Sequence, residues 1–161
     1  MMSTLMDDVT VYIEDIDTAC LKKDNLNKIV EYYSAQSGRD LLITNRYHLV
    51  IGDFFHTNLP DNSFDRIYTN ATMHVFQSPD SILTDISRKL KPDGMLFIRD
   101  GFKDNKEEKR FCPDPKCGSP LLTVNEFLVI MKRNGFKLVR QSIRSWNLSC
   151  IWLLANEVEV K

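Results

Sequence analysis

The stretch from His48 to Asp100 constrains this chain most, because it alternates short β-rich runs with one amphipathic helix in the order that builds a parallel sheet. It reads HLVIGDFFHTNLPDNSFDRIYTNATMHVFQSPDSILTDISRKLKPDGMLFIRD. Tyr47 to Ile51, Phe64 to Thr69 and Met95 to Arg99 each predict a strand. Pro60-Asp61-Asn62-Ser63 has the composition of a turn and delivers the chain into the second of them. Pro79 to Leu90 predicts a helix with Ile82, Leu83, Ile86 and Leu90 inward and Asp80, Asp85 and Arg88 outward, stopped by Lys91-Pro92-Asp93-Gly94. Ligands of open parallel sheets collect beyond the carboxyl ends of the strands. Here those ends carry Asp53, Asn70 and Asp100.

The flanking segments extend the same pattern. Val9 to Ile13 is β-branched and aromatic with little alternation, which predicts a strand buried on both faces, and it ends in Glu14-Asp15-Ile16-Asp17. A helix is expected over Ala19 to Gln36, capped by Asp17 or Thr18, with Ile29, Val30 and Tyr33 at helical spacing and a stop at Ser37-Gly38. Arg39 to Arg46 reads as a polar connector. Near the C-terminus, Thr123-Val124-Asn125-Glu126 is a capping box, Phe127, Leu128 and Met131 form the buried stripe of its helix, and Asn134-Gly135 ends it. Phe136 to Ile143 and Leu148 to Ala155, joined by Ser145-Trp146-Asn147, predict an antiparallel pair of strands in which Trp146 and Trp152 are structural.

A length of 161 residues suits one domain, so residues 1–161 are read as a single core. With 43% hydrophobic and 27% charged residues and a net charge of -1, the chain is neither disordered nor a polyanion binder, so no nucleic-acid partner is expected. No apolar run reaches the roughly 18 residues that span a bilayer, and the acidic start Met1 to Asp8 is not a signal peptide, so the expected compartment is the cytosol, without membrane attachment. Of the four cysteines, Cys20 falls in the expected helix and Cys150 in the last strand, and both read as small apolar core residues. Cys112 and Cys117 bracket a constrained turn, Cys-Pro-Asp-Pro-Lys-Cys-Gly; reduced thiols in an ordered loop, a labile disulfide and a metal site are the three readings, and with no second Cys/His pair at convincing spacing no metal is assigned.

Gly52-Asp53, Leu59-Pro60-Asp61-Asn62-Ser63-Phe64-Asp65, Met73-His74-Val75, Leu90-Lys91-Pro92-Asp93-Gly94 and Phe97-Ile98-Arg99-Asp100, in this order and at these spacings, resemble the class I S-adenosylmethionine-dependent methyltransferases that act on small molecules such as quinones and sterols. The resemblance covers Val9 to the C-terminus. It implies an α/β, Rossmann-like sandwich with a mostly parallel sheet and an antiparallel C-terminal hairpin, with S-adenosylmethionine as cofactor and a small molecule as substrate. It places Asp15 at the cofactor ribose, with Glu14 as the alternative one residue away, and Asp53 and Phe54 at the adenine. It sets Asn70 and His74 on the substrate side, where His74 is either a general base or a packing residue beneath the site. Asp65 fixes the entrance to its strand, and Phe102 to Pro120 corresponds to a substrate lid.

The chain departs from that family at its start. The family opens with a strand and a GxGxG turn against the methionine part of the cofactor, whereas this chain has six glycines, the first of them Gly38, and no such cluster. Met1 to Asp8 is too short for a strand, a glycine turn and a crossover, which alone takes about a dozen residues. The fold is therefore expected to be N-terminally incomplete, leaving two strand edges unpaired. An enzyme is the first functional reading. The alternatives are a non-catalytic remnant that binds a protein partner, or itself, through those edges, and a small metal-binding module around Cys112 and Cys117.

Overall fold

Two parallel strand pairs carry the fold. A computed structural model describes residues 2–103, 118–144 and 149–156. They divide into two compact units, Met1–Leu59 and Pro60–Lys161.

In the first unit, β1 (Thr10–Asp15) pairs in parallel with β2 (Arg46–Ile51), in register from Thr10 opposite Arg46 to Asp15 opposite Ile51. The crossover carries α1 (Lys23–Ser37), which ends where Gly38, at φ 67°, donates its N–H to the Ser34 carbonyl. Val30 of α1 is fully buried while Ile29 is 51% exposed, so the inward stripe is narrower than the one expected. The helix also starts later than predicted. Asp17 accepts hydrogen bonds from the N–H groups of Ala19 and Cys20, which closes a turn in place of capping a helix, and Cys20 is exposed and not a core residue. The connector after α1 is not merely polar. Asp40 caps one further turn, α2 (Leu41–Thr44), Leu41 is fully buried, and the buried Asn45 accepts from Val9 N–H and donates to the Met6 carbonyl. Contrary to expectation, no residue of β1 is fully buried, because a pair of strands with one crossover helix has too few side chains to cover both faces.

The second unit contains β3 (Phe64–Asn70), α3 (Pro79–Lys89), β4 (Leu90–Gly101), α4 (Val124–Arg133), β5 (Phe136–Arg144) and β6 (Ser149–Asn156), in the sheet order β3-β4-β6-β5. β3 and β4 are parallel, and β6 is antiparallel to both its neighbours, as the hairpin pattern predicts. Leu96 and Ile98 of β4, Ile82, Leu83 and Ile86 of α3 and Phe127 and Met131 of α4 form one buried cluster. Each such side chain stabilises by about 1.5–3 kcal/mol on burial. The Thr123 hydroxyl and Glu126 carboxylate complete the capping box of α4 in both directions.

Two details of this unit differ from expectation. The 91–94 segment lies within β4 as a bulge, since Phe64 pairs with Leu90 and Arg66 with Met95. Gly94 is required there, because a Cβ would stand 2.8 Å from the Phe64 carbonyl oxygen and 2.9 Å from that of Lys91. Asp85, expected outside, is buried and lies 3.2 Å from the Lys89 ammonium, which also donates to Asp61 at 2.6 Å. Burial alone pulls the Lys89 amine down, but its hydrogen bonds to Asp61 and Asp85 outweigh that and leave it raised. Asp61 thereby ties α3 to the turn that feeds β3, where Asn62 adopts φ 49° and donates its N–H to the Arg88 carbonyl.

Among the described residues, β1 pairs only with β2 and β3 only with β4. No helix among them is long and apolar enough to cross a membrane. Cys112, Cys117, most of the expected lid, Trp146 and the side chains of Cys150 and Trp152 lie outside what is described.

Candidate functional site

The carboxyl ends of β1 and β2 bring together three acids. β1 is extended through Asp15, whose carbonyl accepts from Gly52 N–H at 3.1 Å, so the turn after β2 begins beside the tip of β1. Asp15 is exposed, and its Oδ1 accepts from Asp17 N–H at 3.0 Å. Glu14 points to the other face and lies over Gly52, where a Cβ would stand 1.9 Å from Glu14 Oε1. That contact is the local reason for a glycine at this turn. Asp53 Oδ1 accepts from both Phe55 and His56 N–H at 2.7 Å. These two backbone bonds, with the His56 ring 3.4 Å away adding a smaller contribution, hold the Asp53 carboxyl below its ordinary value. Among the described residues Asp53 Oδ2 has no hydrogen-bond partner. Phe54 and Phe55 are each 48% exposed beside it. Thus Asp53 does shape its own turn, but with one oxygen, and its aromatic neighbours stay out of the core. The arrangement offers carboxylate acceptors for hydroxyl or amine protons next to an apolar ring face.

The ends of β3 and β4 are built differently. Asn70 pairs with Arg99 and is exposed at the tip. Ala71 follows at φ 56°, a left-handed conformation that costs roughly 1–2 kcal/mol outside glycine. It is held by its N–H bond to the Arg99 carbonyl at 2.7 Å and by the shared hydrogen bond of the Thr69 and Thr72 hydroxyls at 2.6 Å. A single 3-10 turn, Met73–Val75, then sets His74 against Asp100. His74 Nδ1 lies 2.7 Å from Asp100 Oδ1, and Asp100 also accepts from Met73 N–H and Gly101 N–H, each at 2.7 Å. The side chains of His74 and Asp100 are 7% and 1% exposed.

Of the residues singled out in the sequence, Asp15, Asp53 and Phe54, with Glu14, are therefore neighbours at one strand end, and Asn70 and His74 occupy the other. The sequence puts Asp100 at a strand end and assigns it no role. The signal that could have found it is a carboxylate ending an otherwise apolar strand, where burial requires partners. Asp65 is exposed and accepts from the Lys91 ammonium at 2.8 Å, an anchor for the start of β3 as expected.

Comparison with known proteins agrees with this geometry. Residues 11–98 match the family described as a methyltransferase domain. Sterol 24-C-methyltransferase erg-4 of Neurospora crassa is 29% identical over 140 residues, covering 79% of this chain and 36% of that protein. Malonyl-[acyl-carrier protein] O-methyltransferase of Calditerrivibrio nitroreducens is 33% identical over 115 residues, covering 71% of this chain and 42% of that protein. The chain thus spans well under half the length of these curated relatives. A crystal structure of an S-adenosylmethionine-dependent methyltransferase from Methanosarcina mazei has the same fold, with a TM-score of 0.68 at 15% identity over 98% of this chain and 86% of that one. These findings do not favour the partner-binding remnant. Since the family match takes in more than half of the chain and draws on strands of both units, the protein belongs to the class I S-adenosylmethionine-dependent methyltransferases.

Proposed function

We infer that this chain binds S-adenosylmethionine and transfers its methyl group to a small-molecule acceptor. The observation that carries the reading is the convergence of Glu14, Asp15 and Asp53 with a half-exposed Phe54 at the end of one parallel strand pair. In this reading the outward oxygen of Asp15 accepts from the ribose hydroxyls, with Glu14 beside it, Asp53 Oδ2 accepts from the exocyclic amine of adenine, and Phe54 covers the ring. Bound S-adenosylmethionine supplies an electrophilic methyl group on a sulfonium.

An acceptor oxygen, nitrogen, carbon or sulfur would take that methyl in line, the electrons of the broken bond would remain on the departing sulfur, and the acceptor's proton would pass to a base. Much of the rate enhancement comes from holding the reactants in line. Asn70 is the acceptor-side hydrogen-bonding group and His74 the candidate base. The relatives named for C- and O-methylation differ in the atom they methylate, so the acceptor of this chain is assigned by class only, as a small molecule.

Calorimetric titration of the chain with S-adenosylhomocysteine tests the reading, with Asp53→Asn as the control. Asparagine keeps the acceptor that closes the turn and replaces the outward oxygen by a donor. Micromolar binding that weakens at least about tenfold in the variant supports the assignment. No binding by a folded wild-type chain would mean that this polypeptide is not an enzyme as it stands, and the partner-binding alternative would take precedence.

A further inference from the structure

We propose that Asp100 is a positioning residue that holds His74 in one tautomer, with the proton on Nδ1 and the lone pair on Nε2 directed outward. The proposal rests on the methyltransferase reading and names the group that prepares its candidate base.

An ionised carboxylate only accepts hydrogen bonds, so the 2.7 Å contact of Asp100 Oδ1 with His74 Nδ1 places the hydrogen on Nδ1. The carboxylate cannot turn away to release the ring. Its Oδ2 is held by Met73 N–H, the residue preceding the histidine, and its Oδ1 by Gly101 N–H. Ring and carboxylate are thus fixed to the same turn, which the Ala71 N–H bond to the β4 carbonyl of Arg99 also pins.

The other ring nitrogen is treated differently. Among the described residues Nε2 has no hydrogen-bond partner, and since it is not one of the fully buried atoms there that lack one, it retains some contact with solvent in a side chain that is 7% exposed. A histidine kept only for packing would have no need of a buried carboxylate on one nitrogen and an unpartnered lone pair on the other. With an acceptor X–H beside the ring, Nε2 would take its proton as the X–C bond forms and the methyl–sulfur bond breaks. The imidazolium that results keeps its Nδ1–H on Asp100, whose negative charge stabilises it.

Nitrogen-15 spectra of the imidazole rings, assigned to His74 through His74→Gln, test the tautomer on the chain without any ligand. Labelling with diethyl pyrocarbonate, which reacts at an unprotonated ring nitrogen, tests whether Nε2 is open. His56, whose side chain is 62% exposed, is the internal reference. The expected wild-type result is an Nδ1–H tautomer and labelling of His74. In Asp100→Asn either orientation of the amide sets its nitrogen against a backbone N–H, that of Met73 on one side or of Gly101 on the other, so the fixed acceptor for His74 Nδ1–H is lost or weakened. His74 then loses its single tautomer, and its nitrogen-15 shifts move toward those of a ring averaging the two tautomers.

A wild-type Nε2–H tautomer, or a His74 that stays unlabelled while His56 reacts, overturns the proposal even if Asp100→Asn does not fold. Failure of S-adenosylhomocysteine to bind would instead remove the methyltransferase reading and leave the tautomer result standing.

Discussion

The two strand ends solve the same electrostatic problem in opposite ways. Each lies at the carboxyl end of a parallel pair and carries acids. At the end of β1 and β2 Asp15 and Asp53 are exposed, and each spends one oxygen on its own turn. At the end of β3 and β4 the Asp100 carboxylate is buried and takes three donors. An exposed anion keeps its hydration and costs little to leave half-used, whereas a buried one must be saturated or the fold loses several kcal/mol. The open end is thus suited to exchange water for a ligand, and the closed end to hold a backbone and a ring still.

The largest expected effect comes from emptying the closed end. Asp100→Ala leaves Met73 N–H, Gly101 N–H and His74 Nδ1–H without their acceptor at a site where the carboxylate is 1% exposed. A loss of about 3–5 kcal/mol is expected in urea unfolding. A loss below about 1 kcal/mol would mean that the closed end is no more committed than the open one.

Next comes the other buried acid of the second unit. Lys89→Met removes the ammonium that faces Asp85 and is expected to cost about 2–4 kcal/mol. The pH dependence has a definite sign. Because the folded amine is raised, its contribution is full below the ordinary lysine value of about 10.4 and is lost as pH rises through the folded value. Asp61, lowered by its bond from Lys89, contributes above the ordinary aspartate value of about 3.9 and loses that contribution as pH falls through its folded one. Wild type should therefore lose this contribution at both extremes, while Lys89→Met should be insensitive at the alkaline one.

How much of this is legible in the sequence depends on where each partner lies in the chain. The helix Pro79–Lys89, the turn before β3 and the capping box at Thr123 are written in local periodicity and turn chemistry, and they stand where those signals put them. The start of α1 misleads because Asp17 does accept from the N–H groups of Ala19 and Cys20, as a helix cap would, yet the chain leaves the helical path before Lys23. A cap and an isolated turn share the same local chemistry, and they part only in the path of the residues beyond. Asp85 is placed outside by its helical phase, and its burial depends on Asp61 and Lys89 meeting through a turn far earlier in sequence. The His74–Asp100 pair is out of reach for a similar reason. The two residues are brought together by the register in which Asn70 meets Arg99, a property of strand pairing that neither segment states alone.

A smaller effect checks whether local signals carry the energy they suggest. Thr123→Ala removes the hydroxyl that accepts from Glu126 N–H and should cost about 1 kcal/mol. The Thr123 backbone N–H holds the Glu126 carboxyl below its ordinary value, so the contribution of that charge is complete above about pH 4.3 and fades as pH falls through the lowered folded value. Glu126→Gln should remove that part of the acid dependence, which urea titrations at several pH values would read directly.

The smallest expected change in stability is the one that most sharpens the contrast. Asp53→Asn retains an acceptor for Phe55 and His56 N–H, and its side chain is 53% exposed, so the midpoint of unfolding should not move measurably. Affinity for S-adenosylhomocysteine should nevertheless fall at least about tenfold, since the outward oxygen becomes a donor facing the donor of an adenine amine. Asp100→Asn should show the reverse pattern, with a clear loss of stability and nucleoside affinity retained. If both variants lost stability alike and neither changed binding, the open and closed ends would be one kind of structural turn, and the division of labour between them would fail.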